Sequence, residues 1–320
     1  MNLRPRFLQL QPFLSYPIDS LAALMGSLLC ISFSPIFIHL SELEIGPNAT
    51  AFNRFWIATV AFGLLNQLLA VHHREKQIQP ELQKPHPVRT SMLLIADGML
   101  MSVGSICWAW SLTHTSIANS SIMHNLVPIF TILGGWLALG QTFDRRFLIG
   151  LLVAIAGATL LEVNELFSFR ISQKTLGDLA ALLSALFFGV HPLIAGKLRT
   201  NLNTVTIMTW SSITSSLLLL AITAFSGEQL FPSSATGWFS VIALAIVGQM
   251  LGVGLWTYCL KKLSSGFASL VGLVVPAFSA VEAWAIFSEH LSLLIWVSFV
   301  VILLGMYLAI SSKSAIKSEI

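Results

Sequence analysis

His124 and Asn125 precede Pro128 by four and three residues. A proline has no N–H, so the carbonyl four residues before it loses its helical partner. An imidazole, a carboxamide and a freed carbonyl then share one turn, a set able to hold a polar solute; the alternative is an imidazole simply hydrogen-bonded to a neighbouring helix. His191, one residue before Pro192, repeats the pattern. Arg54 stands among apolar residues, where a guanidinium meets a solute carboxylate, pairs with an acid or snorkels toward water. Asp97 and Glu282 are carboxyls in apolar surroundings, the setting of proton relays in membranes; the plainer reading puts them at opposite headgroup boundaries. Trp108 and Trp256 either line a solute path or belong to interfacial belts.

The elements that must position these groups follow from composition. Hydrophobic residues make up 55% and charged residues 10%, with a mean hydropathy of +0.81, so the bilayer is the solvent. Roughly 20 apolar residues span the hydrocarbon core as a helix. Ten such runs occur, at 18–40, 50–71, 90–112, 116–138, 147–164, 175–198, 204–225, 237–260, 265–287 and 291–310. With the N-terminus inside, fourteen of the seventeen Lys and Arg residues fall on cytoplasmic segments, as the positive-inside rule requires. Both termini are therefore expected in the cytoplasm. Arg4 and Arg6 precede a run too long for a signal peptide and without a small-x-small cleavage pattern, so the first span is expected to stay as an anchor.

Gly104–Gly157 and Gly252–Gly305 align without a gap at an offset of 148 residues. This register superimposes Trp108 on Trp256, Trp136 on Trp284, Pro128 on Pro276 and Gly157 on Gly305. Ser34-Pro35 corresponds to His191-Pro192, and Thr50–Trp56 to Thr204–Trp210, at slightly different offsets. Arg54 then falls on Met208, so the charge belongs to one half only. Five spans per copy force the second copy upside down, and inverted repeats are an architecture of secondary transporters. Kinks are expected at Pro35, Pro128, Pro192 and Pro276, the matched interruptions that point to a central site. Helices 1–4 and 6–9 should line it. Gly150, Ala154 and Gly157, like Ala245, Gly248 and Gly252, have the spacing of close helix contacts.

The chain resembles the EamA-type branch of the drug/metabolite transporter superfamily over roughly residues 20–310. The resemblance is carried by the Gly26 to Pro35 first span, by Pro47 to Arg54 entering the second, by Ser120-Ser121 with Pro128 in the fourth, and by a Gly-rich fifth span. The family's Gly-Glu corner is Gly140-Gln141 in the first half and Ser288-Glu289 in the second, so the first half lacks that carboxylate. The resemblance implies an all-α carrier of ten transmembrane helices, moving a small amino acid-like metabolite, with export the commoner direction.

The expected organisation is a tail at 1–17, five-helix repeats at 18–164 and 175–310, an external linker at 165–174 and a tail at 311–320. No nucleotide motif, Ser-His-Asp arrangement or His-x-x-x-His spacing occurs, so neither an enzyme, a cofactor nor a metal is expected. Cys30, Cys107 and Cys259 read as packing thiols in spans, and the His72–Arg89 stretch as a solvated loop. The net charge of +3 is spent on topology, so no nucleic acid is expected. The expected partners are a solute, the lipid bilayer, a coupling ion such as a proton, and a second copy of the chain, with helices 5 and 10 outside the cavity as braces or dimer contacts. A bacterial inner membrane is the expected location. The competing readings are a sugar-phosphate or nucleotide-sugar exchanger, for which one buried Arg is few, and a scaffold or sensor that keeps the carrier fold.

Overall fold

The computed structural model describes residues 18–75, 87–115, 117–161, 175–287, 293–312 and 314. They form ten helices in two sets of five. In the first set α1 runs Ile18–Ser32 and Ser34–Glu42, α2 is Pro47–Glu75, α3 is Val88–His114, α4 runs Ile117–His124 and Val127–Leu139, and α5 is Arg145–Leu160. In the second α6 is Thr175–Leu198 and α7 is Thr204–Ser226. Helix α8 joins Ala235–Ala243, a π-helical Leu244–Val253 and Gly254–Cys259. Helix α9 joins Ser265–Val271, a 3₁₀ turn Gly272–Val274 and Val275–Phe287, and α10 is Leu293–Ile310. Among the described residues nine helices are long and apolar enough to cross a bilayer; α5, at 16 residues, is the tenth and shortest. The tails, the 165–174 linker and the Ser288-Glu289 corner lie outside the described residues.

Three prolines sit just past breaks. Helix α1 is interrupted at Phe33 before Pro35, α4 at Asn125-Leu126 before Pro128, and α9 tightens to its 3₁₀ turn before Pro276. Helix α6 shows no such break and remains helical through Pro192. There Ser265 Oγ of α9 donates to Pro192 O at 2.8 Å, and α6 is held along its length by α3, α4 and α9. The π segment of α8 has no proline and was not signalled by periodicity.

The two halves interlock. Helix α3 packs on α6 and α7, α2 on α7 and α8, and α1 on α8 and α9. The repeat keeps its contacts even where it changes residues. Trp108 stacks on His124, and its counterpart Trp256 lies against Gly272, 3.0 Å from where a Cβ there would be. Gly104 abuts Phe188 of α6, and its counterpart Gly252 abuts Ile31 of α1. Helices α5 and α10 press together through small residues: a Cβ on Gly150 would come 2.6 Å from Gly305 O, and one on Gly157 2.8 Å from Ile302 N. Outward-facing Leu137, Phe225 and Leu293 are exposed, as a lipid-facing surface requires.

The two ends of the bundle differ in charge. The end bearing the α1–α2 and α7–α8 connections carries Glu42, Glu44, Asp178 and Glu228; the other carries Arg89, Arg145, Arg146, Lys197, Arg199, Lys261 and Lys262. We call these the acidic and basic faces. On the acidic face the halves exchange helix caps. Glu228, from the second half, accepts from Ala49 N at 2.8 Å and Asn48 Nδ2 at 2.6 Å at the start of α2. Glu44, from the first half, accepts from the backbone N–H of Ser233 and Ser234, both at 3.1 Å, and from the Ser234 hydroxyl. Ser234 in turn caps α8 by accepting from Gly237 N at 3.0 Å. Carboxylates at helix N-termini satisfy otherwise unpaired donors and favour the macrodipole. The Ser234 hydrogen bonds hold the Glu44 carboxyl below the usual carboxylate range.

Candidate functional site

Three polar centres lie within the apolar bundle. The first joins α3, α6 and α7. Asp97 is fully buried; its Oδ1 lies 2.8 Å from His191 Nδ1 and its Oδ2 accepts from Ser211 Oγ at 2.5 Å. Burial of a carboxylate demands such partners, and Asp97 finds both of them on the second half of the chain. The approach of the helices is close enough that a Cβ on Gly98 would stand 2.5 Å from Ser211 O, and Ser215 Oγ donates to Gly98 O at 2.8 Å. His191 is buried too, and its Nε2 has no partner among the described residues. Asp97 and His191 arose from the sequence as separate candidates, and the fold makes them one unit across the two halves.

The second centre joins α2, α8, α1 and α9. Arg54 donates through Nε to Gln249 Oε1 at 2.9 Å, from within the π segment of α8, and its guanidinium lies 5.6 Å from the centre of the Phe55 ring. The wider π turn carries Gln249 inward, where its Nε2 is buried without a partner. Beside it, Gly248 lets Ser34 approach: Ser34 Oγ lies 2.6 Å from where a Gly248 Cβ would be, and it too is unpartnered. At the α1 break Ser32 Oγ donates to Glu282 Oε1 at 2.5 Å, and Ser279 Oγ donates to Ser32 O at 2.7 Å. Glu282 Oε2 is buried and unpartnered. Among the described residues neither Arg54 nor Glu282 makes an ion pair.

The third centre surrounds His124. Its ring is stacked on Trp108 at 5.0 Å between centroids and meets Phe188 edge-on at 5.4 Å, with Ser184 Oγ 3.4 Å from Nδ1. Asn125 is buried at the α4 break. Trp110, two residues from Trp108, is exposed and stacks on His114, so only one of that pair faces inward. Trp256 packs against the main apolar core of the bundle and over Gly272 of α9. His124 sits in an aromatic sandwich between Trp108 and Phe188. Two apolar recesses, of about 220 and 570 Å³, include neither His124 nor Asn125; the larger is walled by Phe52, Trp56, Phe231 and Trp238 at the acidic face. Gln141, at the corner where the resembled pattern has Glu, is folded onto Gly135, and Gly140 before it adopts φ +62, a left-handed helix end suited to glycine.

The sequence profile of the EamA-like transporter family matches residues 20–163 and 175–311, one match per five-helix set. The chain belongs to the EamA-like transporter family. It is a multi-pass membrane transporter and not an enzyme. Among characterised relatives, it is 24% identical to a pseudopaline exporter of Pseudomonas aeruginosa over 197 residues, 62% of this chain and 67% of that one. It is 22% identical to a probable amino-acid metabolite efflux pump of Escherichia coli over 227 residues, 68% of this chain and 75% of that one. A solved crystal structure superposes with a TM-score of 0.77 at 16% identity, covering 92% of this chain and 97% of that one, a likeness of fold.

Proposed function

We propose that this EamA-like carrier exports a small amino acid-like metabolite by alternating access of its two five-helix halves, and that the solute is seated at the second centre. The observation that carries the reading is that Arg54 and Glu282, on helices that both meet α1, make no ion pair among the described residues. Arg54, oriented by Gln249, would take the solute carboxylate, and Glu282, oriented by Ser32, its ammonium. A zwitterion would satisfy both groups and the orphaned Gln249 Nε2 and Glu282 Oε2 beside them, buried polar atoms that otherwise lack a partner among the described residues. The named substrates of the two relatives, a pseudopaline and amino-acid metabolites, accord with such a solute. His124, Asn125 and Trp108 would form the aromatic wall passed during entry or release.

A sugar-phosphate solute calls for several cations at one place. The other buried guanidinium, Arg199, is engaged near the basic face with Leu202 O at 2.6 Å and Thr257 O at 3.2 Å, so the zwitterion is favoured. In orientation, the basic face would be cytoplasmic and both termini inside, in a bacterial inner membrane. The test is movement of labelled L-amino acids by purified carrier in vesicles, with competitors lacking one charge. Methyl esters and N-acetyl derivatives are expected to compete poorly with the parent amino acids. Equal competition by all three would overturn the seat.

A further inference from the structure

We propose that Asp97 and His191 form a proton-binding site at the moving boundary between the two halves, and that the proton is the counter-ion exchanged for the solute. This rests on the carrier reading above and adds the coupling to it.

The geometry supplies two proton positions. One proton is shared between His191 Nδ1 and Asp97 Oδ1, 2.8 Å apart, while the second carboxylate oxygen is occupied by the Ser211 hydroxyl. The other position is His191 Nε2, buried and without a partner among the described residues. With Nε2 empty, the unit carries one net negative charge in the bundle interior. With Nε2 protonated it is a neutral imidazolium–carboxylate pair. Release converts imidazolium and water to neutral imidazole and hydronium, and no other reactant is needed.

Position makes the proton do work. Asp97 belongs to the first half, His191 and Ser211 to the second, and the close approach at Gly98 is made at the same place. When the halves part to admit solute, His191 leaves its carboxylate and meets water. Proton exchange is then tied to the same motion that opens the site. The repeat underlines the assignment: at the equivalent boundary, where Ala245 and Ser34 replace Asp97 and His191 in register, no titratable pair exists.

Among the side chains the structure describes, the titratable groups on the surrounding helices are Arg89, Cys107 and His114 on α3, Asp178 and Lys197 on α6 with Arg199 just past its end, Arg54 on α2, His124 on α4, Tyr258 and Cys259 on α8 and Glu282 on α9; α7 carries none. Among the described residues, the side-chain hydrogen bonds of Asp97 and His191 run to each other and to Ser211.

The experiment has two arms. Histidine-labelled carrier in lipid nanodiscs is followed by ¹⁵N NMR, with the His191 signal identified by its loss in His191→Gln. The expected result is passage of that signal from imidazole to imidazolium between pH 9 and pH 5, in a pattern altered by Asp97→Asn. A signal in one protonation state throughout, or one indifferent to Asp97→Asn, overturns the site. In vesicles holding a pH-sensitive dye, a pool of the twenty common L-amino acids should drive proton movement at a fixed ratio to solute, reduced at least tenfold relative to solute in His191→Gln. A wild-type ratio in that variant also overturns the proposal. If the NMR result is as expected and no amino acid moves, the solute assignment fails and the proton site stands.

Discussion

Arg54 is held by one neutral hydrogen bond and a ring contact, so most of its charge is left for a ligand. Arg54→Gln should lower the initial rate of amino acid transport about 10- to 100-fold, matching about 1.5–3 kcal/mol for a hydrogen bond to a charged group. Arg54→Lys should fall between, because an ammonium keeps the charge and loses the planar fork. Initial rates in vesicles at equal protein content check both. Gly98→Ala should destabilise the fold by about 1–3 kcal/mol through overpacking, since its Cβ would collide with the α7 backbone at Ser211; thermal unfolding in detergent reads this. Arg54, Asp97, Glu282, His124 and His191 were all legible as candidates because buried polar residues stand out in apolar runs. Their partners were not. Asp97 and His191 are 94 positions apart and Ser32 and Glu282 are 250 apart, and residue types alone do not encode such contacts.

At the scale of elements, hydropathy gave each helix and proline gave three of the breaks. The π segment escaped because it needs no special residue type. The exchanged caps escaped for a different reason: Glu44 and Glu228 read as loop charges that set topology. A sign of the exchange was nevertheless present, because Gly46 precedes Pro47 where a Ser, Thr, Asp or Asn would cap α2 from within. Glu44 has its carboxyl lowered by hydrogen bonds that exist only in the folded protein. Its contribution is therefore complete above the ordinary value of 4.5 and is lost as pH falls through the lowered one. The thermal midpoint of wild type should exceed that of Glu44→Gln at neutral pH, and the gap should close in acid. On the opposite side of the bundle, Gly305→Val should push α10 from α5, because a Cβ there lies 2.5 Å from Ala154 N. A loss of about 1–3 kcal/mol is expected, seen as a lower unfolding midpoint.

The whole molecule is a duplicated plan with its chemistry divided. The register read from Trp108 and Trp256 also relates His124 to Gly272, and the fold preserves both contacts while keeping the imidazole in one half. Arg54 falls on Met208, and Asp97 on Ala245. Like helices therefore carry unlike groups, with Arg54 between α2 and α8 and the carboxylate–imidazole unit between α3, α6 and α7. That polarity could be read residue by residue from the repeat, whereas the closeness of the groups required the folded chain.

The crossed caps on the acidic face bear on how such a chain can be divided. Each half owns a helix whose first turn is finished by a carboxylate belonging to the other, Glu228 for α2 and Glu44, through Ser234, for α8. Alike in outline, the halves are no longer interchangeable, and neither is a finished object. Cut between Leu161 and Thr175, the fragments should accumulate only when made together, and a fragment made alone should be degraded; immunoblots of membranes from single and joint expression would show it. The bundle is in this sense an obligate heterodimer written as one polypeptide.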